Sequence, residues 1–340
     1  MFVNKSKFLL ILIVPALILS IFCSCATPKQ RLSKTFIDYF DTAITVIGYD
    51  SKDNFDSNCE IIEQNLSKYH RLFDIYNSYD DLVNLYVVNQ NAGKTVKVDV
   101  ELIEFLSLCK DMYRLTNGKT NVALGSVLSI WHNARNESVL PDMENLTTAA
   151  KHCDIENVII DSENQTVMLK DSSMSLDVGA IAKGYALQNI VSVLEQQGVT
   201  GYAINAGGMV MCLGVRGDGS DWSVGIENPK NTSEILLSIT PGDLAVVTSG
   251  TYQRYFEKDG VRYHHIINPD TLMPENDYLS VTVLTEDCGL GDALSTALFN
   301  MSVEEGKALL SALEVRAEAM WVLPDQTKIE TDGFQKHIKK

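Results

Sequence analysis

The sequence lacks the cysteine framework that holds many small exported domains together. It has seven cysteines in 340 residues, and two of them lie close to the amino terminus. The other five are an odd number and contain no C-x-x-C pair; they are Cys59, Cys109, Cys153, Cys212 and Cys288. This argues against a disulfide scaffold and against a thiolate zinc site.

Positive charge is also scarce in this chain. It carries 28 lysines and arginines against 44 aspartates and glutamates, which gives a formal net charge of −16. No basic stripe is available to neutralise the phosphates of a nucleic acid, so we expect no nucleic acid as a partner. Attraction to anionic lipid by charge alone is disfavoured for the same reason.

The amino terminus has no apolar run of the roughly 20 residues that a membrane-spanning helix needs. Its apolar run, Phe8 to Phe22, is shorter and follows Lys5 and Lys7. A short apolar run behind positive charge is typical of an export signal. An uncleaved anchor helix is the alternative, and both interpretations place the rest of the chain outside the cytoplasm.

Ser24-Cys25-Ala26 places a small residue before a cysteine at the expected cleavage point and resembles a bacterial lipoprotein signal. This predicts a signal peptide over 1–24, a lipid on Cys25 and a polar tether over 25–37. Cys23 is the alternative acceptor. The protein is then expected at the cell membrane, lipid-anchored on the extracytoplasmic face.

A single domain is expected over 38–335, because neither an internal repeat nor a shift in composition divides it. Hydrophobic residues make up 45% of the chain and charged residues 21%, an ordinary globular balance. Strands are predicted near Val210 to Val215, Trp222 to Glu227, Ile235 to Ile239, Leu244 to Thr248, Arg262 to Ile267 and Leu279 to Leu284. Such a succession favours antiparallel pairing, so the predicted class is α+β, with antiparallel-rich sheets flanked by helices.

The first half of the domain supplies helices and a hairpin. Thr42 to Tyr49 alternates as a strand, and Ser57 with Glu60 predicts the capping box of a helix that packs on it. Asp99 is predicted to cap a second helix. Two short strands within 158–169 predict a hairpin.

The stretch LDVGAIAKGYAL at 176–187 combines a strand end, a turn and a helix start. Ser175 to Val178 predicts the strand, Gly179 the turn and Ala180 onward the helix. The free N–H groups at such a helix start suit an anion, which predicts a phosphate-bearing ligand there. The alternative is an ordinary strand-to-helix corner with Lys183 in solvent.

Three further stretches follow in order: NAGG at 205–208, TSGTYQRYF at 248–256 leading to HHIINP at 264–269, and GDALSTALF at 291–299. Together with the stretch at 176–187, they resemble the FAD:protein FMN transferase family, the ApbE-type flavin transferases, in lipoprotein form. Each stretch is weak evidence alone, but the ordered set is specific. The resemblance extends from about Phe40 to the last predicted strands.

The resemblance implies FAD as the substrate and Mg²⁺ as the cofactor, with transfer of FMN to a Thr or Ser hydroxyl of a target redox protein subunit and release of AMP. It implies cofactor contacts from Phe40, Tyr76, Lys119, Thr120, Asn121, Asp177, Lys183 and Ile267. It implies magnesium ligands at Ala180, through its backbone oxygen, and at Asp292, Ser295 and Thr296. His265 aligns with the family histidine and is the candidate base for the acceptor hydroxyl.

The spacing of the proposed ligands has its own physical interpretation. A helix is predicted from Asp292 to Met301, and Ser295 and Thr296 lie three and four residues after Asp292, on one helix face. A carboxylate with hydroxyls suits a hard cation such as magnesium. The alternative is that Asp292 caps the helix while the two hydroxyls bond back to their own turn.

Other interpretations also stay open at the level of sequence. An aromatic such as Tyr76 at a helix end often only packs, and a structural role is the alternative for His265 and for its neighbour His264. The sequence departs from the family pattern at Asn121, Ser126, Met209 and Asn268. Two other functions are therefore kept: a lipoprotein that binds or scavenges FAD, and a pyrophosphatase that yields FMN and AMP.

Overall fold

The computed structural model describes residues 29–339, and its largest unit is a sheet of eight strands. In spatial order they are β1 (Gln30–Tyr39), β2 (Thr42–Asp50), β6 (Tyr202–Ala206), β7 (Met209–Leu213), β10 (Ala245–Gly250), β13 (Ser280–Thr285), β14 (Ala317–Val322) and β15 (Lys328–Glu330). Every neighbouring pair is antiparallel. The predicted α+β class with antiparallel-rich sheets is confirmed.

Three smaller antiparallel sheets surround the large one. The first contains β3 (Thr95–Lys97), β4 (Val158–Asp161) and β5 (Thr166–Leu169). The other two are hairpins, formed by β8 (Val224–Asn228) with β9 (Asn231–Ile239), and by β11 (Tyr255–Lys258) with β12 (Val261–His264). Pairing of β4 with β5 confirms the hairpin predicted within 158–169.

The α-helices within residues 29–339 are α1 (Lys52–Phe73), α2 (Leu85–Gln90), α3 (Val100–Leu115), α4 (Gly125–Glu137), α5 (Met143–Ala150), α6 (Ala182–Gln196), α7 (Cys288–Phe299) and α8 (Val303–Ala312). None of them combines the length and apolarity of a membrane-crossing helix. Asp99 occupies the N-cap position of α3 as predicted, although its side chain makes no capping hydrogen bond.

Helices cover one face of the large sheet and a hairpin covers the other. On the helical face, Ile62 of α1 and Ile190 of α6 pack with Ile204 of β6, all of them fully buried. Leu294 of α7 packs further along the same sheet. On the opposite face, Ile226 of β8 belongs to a cluster with residues of β6, β7, β10, β13 and β14. The alternation of side chains along each strand supplies both clusters.

The predicted tether over 25–37 is wrong for most of its length. Gln30 already pairs with Asp50, and β1 runs along β2 as an edge strand. Its polar composition misled the prediction, because an edge strand exposes many of its side chains and buries few, here Phe36 above all. The predicted signal peptide over 1–24 and Cys25 lie outside the described residues.

The first helix begins earlier than its predicted capping box. The N-cap is Ser51, whose hydroxyl accepts the N–H of Asn54 at 3.3 Å. Ser57 and Glu60 are exposed positions inside α1. Phe55 is buried against the sheet one turn before Cys59, so packing extends the helix beyond the point that local capping chemistry indicates.

Residues 175–178 are extended but form no strand, which corrects the prediction for this stretch. The N–H of Asp177 donates to the Val122 carbonyl at 2.8 Å. The side chain of Asn89 both donates to and accepts from the backbone of Leu176. The Asn89 side chain and the carbonyl of Val122, which begins a short 3-10 helix, therefore replace the sheet ladder and hold the segment in place before α6.

Candidate functional site

The close approach of α6 and α7 forms the centre of the candidate site, and Gly184 permits it. A Cβ at Gly184 would lie 2.3 Å from the Cys288 carbonyl oxygen and 2.7 Å from the Cβ of Asp292. Side-chain carbons do not tolerate contacts this short, so glycine is required. This close packing brings Asp292 to the start of α6.

Asp292 is a buried carboxylate in an ion pair. Only 5% of the residue is exposed, one carboxylate oxygen accepts the Gly184 N–H at 3.0 Å, and the Lys183 ammonium lies 3.3 Å from both oxygens. Burial raises the pKa of the Asp292 carboxyl, while Lys183 and the Gly184 N–H oppose this rise. The alternative of a merely solvated Lys183 is therefore wrong.

Asp292 also does not cap its own helix. α7 begins at Cys288, and its N-cap is Asp287, whose carboxylate accepts the N–H of Leu290 at 2.7 Å. The helix predicted to begin at Asp292 thus begins one turn earlier. The capping alternative is wrong, and the Asp292 carboxylate faces α6 instead.

The start of α6 is not the free anion site that the sequence predicts. The helix begins at Ala182 rather than at Ala180. The N–H of Ala182 donates to the Val178 carbonyl at 2.9 Å, and the N–H of Gly184 donates to Asp292. The anion at this helix start is the protein's own carboxylate, which faces the positive end of the helix dipole.

The two hydroxyls of the expected metal site differ in whether they already form hydrogen bonds within the protein. Ser295 is fully buried, lies 2.8 Å from the Ser249 hydroxyl and donates to the Asp292 carbonyl at 3.0 Å. This confirms the back-bonding alternative for Ser295. The side chain of Thr296 is partly exposed, and its hydroxyl has no hydrogen-bond partner within residues 29–339. Thr296 is therefore the freer hydroxyl.

The loop that precedes α6 shares a cation with Asp292. The Lys183 ammonium donates to the Gly179 carbonyl at 3.3 Å as well as to the carboxylate. The Lys183 ammonium thus bridges the backbone next to Ala180 and the Asp292 carboxylate. No cluster of three or more His, Cys, Asp or Glu residues that could hold a metal occurs within the described ranges. A cation here would depend on hydroxyl and carbonyl oxygens besides one carboxylate.

Tyr76 is exposed at the surface, whereas Phe40 is half-buried and packs against two of the hydrophobic core clusters. Phe40 occupies the turn between β1 and β2 with a φ of 55°, and Arg254 donates to its carbonyl at 3.4 Å. Arg254 also pairs with Asp41 at 3.1 Å. Tyr76 is 61% exposed, with its ring 5.6 Å from that of His132. Exposure of this size argues against a simple packing role for Tyr76.

Positive charge collects around Asp177. Its carboxylate accepts the Gly179 N–H at 3.0 Å. Burial raises the pKa of the Asp177 carboxyl, and the Gly179 N–H, His132, Arg254 and Arg135 lower it. The motifs of the sequence did not point to His132, Arg135 or Arg254 as site residues. Two features could have done so: His132 and Arg135 lie three positions apart on α4, and Arg254 lies inside the stretch at 248–256.

Lys119 and Thr120 are engaged within the protein. Lys119 forms an ion pair with Asp270. Thr120 is buried, and its hydroxyl donates to the Ala293 carbonyl at 2.7 Å. The structure therefore does not present these side chains as free ligand contacts, but Thr120 ties its segment to α7 one residue from Asp292.

Asn121 and Ile267 are likewise occupied by protein contacts. The Asn121 side chain accepts the Ala123 N–H at 2.9 Å and donates to the Cys153 carbonyl at 3.0 Å. Ile267 is buried in a cluster that includes Trp131. Both side chains therefore have a structural role in the fold of this region.

His264 is a structural histidine. The predicted strand through Ile267 ends at His264, which is buried. Its Nε2 lies 2.5 Å from the Glu275 carbonyl oxygen, and its Nδ1 accepts the Ile266 N–H at 3.2 Å. Burial lowers the pKa of His264 to about 4, so the ring is neutral at pH 7.

His265 has a different environment from its neighbour. It is half-buried, and its Nδ1 is buried without a hydrogen-bond partner among the described residues. Burial first, and then the charges of Arg254, His264, Lys183 and Arg135, lower the pKa of His265 to about 3. The neutral imidazole is therefore under the influence of three cationic side chains, Arg254, Arg135 and the Lys183 that pairs with Asp292.

The fold is shared with ApbE proteins of known structure. The ApbE protein of Thermotoga maritima superposes with a TM-score of 0.82 at 27% identity, over 92% of this chain and 100% of that one. The flavin transferase ApbE from Vibrio cholerae superposes with a TM-score of 0.78 at 25% identity, over 91% of this chain and 100% of that one.

Curated relatives point to the same class. The FAD:protein FMN transferase of Klebsiella pneumoniae (strain 342) is 34% identical over 254 residues, which are 72% of this chain and 78% of the relative. That of Treponema pallidum (strain Nichols) is 34% identical over 271 residues, 75% of each chain. Residues 40–321 match the ApbE family. The chain belongs to the ApbE family, and the resemblance drawn from the four stretches is confirmed.

Proposed function

We propose that this protein is a magnesium-dependent FAD:protein FMN transferase. It moves FMN from FAD to a Thr or Ser hydroxyl of a target redox protein subunit and releases AMP. The observation that carries the proposal is the buried Asp292 carboxylate, 3.3 Å from the Lys183 ammonium, in a chain whose relatives bear this activity. A carboxylate, a free hydroxyl and a loop carbonyl at one helix junction suit magnesium.

The chemistry requires one bond to form and one to break. The acceptor hydroxyl oxygen attacks the phosphorus of the FMN half of FAD. The bond from this phosphorus to the bridging oxygen breaks, and AMP leaves with that oxygen and its electron pair. Bound magnesium, held by Asp292, Thr296 and the Ala180 carbonyl, with Ser295 beside them, would neutralise charge on the phosphate oxygens.

His265 is the group assigned to the hydroxyl proton. Burial, and then the charges of Arg254, Lys183 and Arg135, lower the pKa of His265 in the free protein, so the imidazole is unprotonated there. A bound anionic substrate would offset these charges and raise the basicity of the ring toward that of a general base. The same three cations are available to the pyrophosphate. This arrangement places a neutral base beside positive charge that suits an anionic substrate.

Mass spectrometry of an acceptor protein tests the function directly. The purified chain is incubated with FAD, Mg²⁺ and a redox subunit that carries a Ser/Thr-rich acceptor motif. A mass gain equal to FMN less one water, together with free AMP, supports the transferase. Free FMN and AMP without a mass gain would indicate a pyrophosphatase, and bound but intact FAD would indicate a scavenging protein.

We expect His265→Ala to lower the rate of FMN transfer by at least about 100-fold, because general-base catalysis contributes that much. FAD affinity should change little, since the residue acts on the acceptor proton. Transfer rates and FAD binding are measured on the same preparation, with His264→Ala as a comparison for structural damage. A full transfer rate in His265→Ala would remove the proposed base.

The lipid anchor belongs to the same proposal. A lipid on Cys25 would hold the enzyme at the extracytoplasmic face of the cell membrane, where exported redox subunits meet it. Cys25→Ala should move the protein from the membrane fraction to the soluble fraction. Continued acylation of that variant would assign the lipid to Cys23 instead.

A further inference from the structure

A second concave surface is lined in part by the β11–β12 hairpin. This cleft has a volume of about 690 Å³. Its walls come from the turn between β8 and β9, the segment after β10, one face of the β11–β12 hairpin and the segment before β13. Among the residues that line it are Lys230, Tyr252, Tyr255, Arg262, Asn276 and Tyr278. None of the residues predicted to contact flavin or magnesium is among them.

The composition of the cleft contrasts with that of the whole chain. The chain has a net charge of −16, yet the described residues that line the cleft include Lys230 and Arg262 and no aspartate or glutamate. Arg262 stacks over the Tyr255 ring at 4.1 Å and pairs with Glu257 at 3.2 Å, so its guanidinium is held in place. Tyrosine and arginine are the side chains that most often anchor a bound polypeptide.

The cleft walls are built on rigid elements. A Cβ at Gly250 would lie 2.4 Å from the Tyr252 ring, so the ring lies flat on the end of β10. The Tyr278 hydroxyl donates to the Met301 carbonyl at 2.9 Å, which fixes that ring from behind. Thr251 is tied to Leu279 by a backbone hydrogen bond of 3.0 Å. A surface fixed in this way loses little side-chain entropy when a partner binds.

Two backbone segments lead from the cleft to the candidate active site. Ser249, two residues before the cleft-lining Thr251, lies 2.8 Å from the Ser295 hydroxyl. Tyr255 of β11 pairs with His264 of β12, so the cleft wall reaches a position one residue from His265. At about 3.3 Å per residue, Arg262 lies within roughly 10 Å of His265 along the chain. An extended segment of three residues spans that distance.

We propose that this cleft binds the acceptor polypeptide, as an extended segment of neutral or acidic character that flanks the Ser or Thr to be modified. The inference rests on the proposed function. Backbone carbonyls or carboxylates of the segment meet Arg262, Lys230 and Asn276, and its apolar side chains lie on Tyr252 and Tyr255. None of the residues assigned to FAD lines the cleft, so FAD and the acceptor can be bound at once.

Binding of the acceptor is measured separately from turnover. The probe is a purified redox subunit with a Ser/Thr-rich acceptor motif, and its affinity for the full chain is measured in the absence of FAD. Arg262→Ala and Tyr255→Ala should each weaken this binding by about tenfold or more and raise the KM for the acceptor by a similar factor. FAD affinity and kcat should stay within about twofold of wild type, since kcat is measured when the acceptor is saturating and does not depend on its affinity.

A matched control and a conservative variant make the result specific. Arg316→Ala removes a comparable guanidinium, 3.2 Å from Glu286 and 2.9 Å from Asp243, far from the cleft in sequence and absent from its lining. It should leave acceptor binding unchanged. Tyr255→Phe keeps the aromatic surface and should retain most of the affinity. Melting temperatures of all variants exclude loss of fold.

Two results would overturn the inference. One is unchanged acceptor affinity in both Arg262→Ala and Tyr255→Ala. The other is a loss of FAD affinity equal to the loss of acceptor affinity, which would assign the cleft to the AMP half of FAD. A wild-type chain that binds the acceptor through this cleft but transfers no FMN would refute the proposed function while supporting the binding surface.

Discussion

At the scale of single residues, Asp292 is the side chain on which the proposed chemistry depends most. It is a buried carboxylate whose charge is balanced by one ammonium and one backbone N–H. Truncation to alanine would leave the Lys183 ammonium and the Gly184 N–H without their carboxylate partner. Most of α7 is also buried, so alanine would leave an unfilled space there. Asparagine is the more informative replacement.

We expect Asp292→Asn to lower magnesium-dependent transfer by more than about 100-fold, because it removes the only carboxylate of the proposed metal site but keeps an oxygen for the Gly184 N–H. AMP release and FMN loading are measured over a range of Mg²⁺ concentrations. Asp287→Asn is the control, since asparagine caps α7 as well as aspartate does. Full activity of Asp292→Asn without added metal would contradict the site.

His264 connects a single residue to the pH dependence of stability. Its pKa is about 4 in the folded protein and about 6.5 in an unfolded chain. The unfolded state therefore binds more protons between these values, so this contribution is complete above pH 6.5 and is lost as the pH falls toward 4. Protonation would also place a second donor at Nδ1, opposite the Ile266 N–H.

The expected loss from His264 between pH 8 and pH 5 is about 2 kcal/mol of the free energy of unfolding. Urea unfolding of wild type and His264→Gln at both pH values measures it. The variant should be less stable at pH 8 and should depend less steeply on pH, with the remaining slope due in part to His265, whose pKa is lowered in the same direction. Identical slopes would show that His264 is not the responsible group.

At the scale of elements, the junction of α6 and α7 determines the geometry of the site. Gly184→Ala inserts a methyl group 2.3 Å from the Cys288 carbonyl, so the two helices must separate. We expect a loss of about 1–3 kcal/mol in the free energy of unfolding and a lower rate of transfer, because Asp292 moves away from Lys183. Gln196→Ala, at the exposed end of α6, should have neither effect. A wild-type melting temperature for Gly184→Ala would argue that the helices are not closely packed.

At the scale of the whole molecule, the acidic chain concentrates cations where an anionic substrate is expected. Arg135, Lys183 and Arg254 all act on His265, although the net charge is −16. A pyrophosphate distributes its negative charge over two phosphates, so it can contact more of these cations at once than a single phosphate can. This distribution predicts that the chain binds FAD more tightly than FMN.

Calorimetric titration with FAD and with FMN measures the preference, which we expect to be tenfold or more, corresponding to about 1.4 kcal/mol. Arg135→Gln should reduce the affinity for FAD, and the reduction should shrink at high salt as the interaction is screened. Arg114→Gln, an exposed change on α3, serves as the control. Equal affinities for FAD and FMN would show that these cations do not recognise the pyrophosphate.

Local sequence predicted a large part of the fold. Strands such as β10 and β13 follow from runs rich in β-branched residues, and the sequence Ser302 to Glu305 forms a capping box at the start of α8. The four ordered stretches identified the family and most of the candidate site. These features depend on backbone preferences and side-chain periods that operate within a few residues.

The tertiary structure alone decided how those residues act. Polar β1 became a strand because β2 lies beside it, and the segment at 175–178 stayed unpaired because Asn89 and Val122 hold it. Lys183 and Asp292 are 109 residues apart, yet they form the ion pair that fills the start of α6. Long-range packing determines how deeply Asp292 and His265 are buried, and burial determines the free-energy cost of charging each of them. The pKa of each group follows from that cost, and no local pattern of the sequence specifies it.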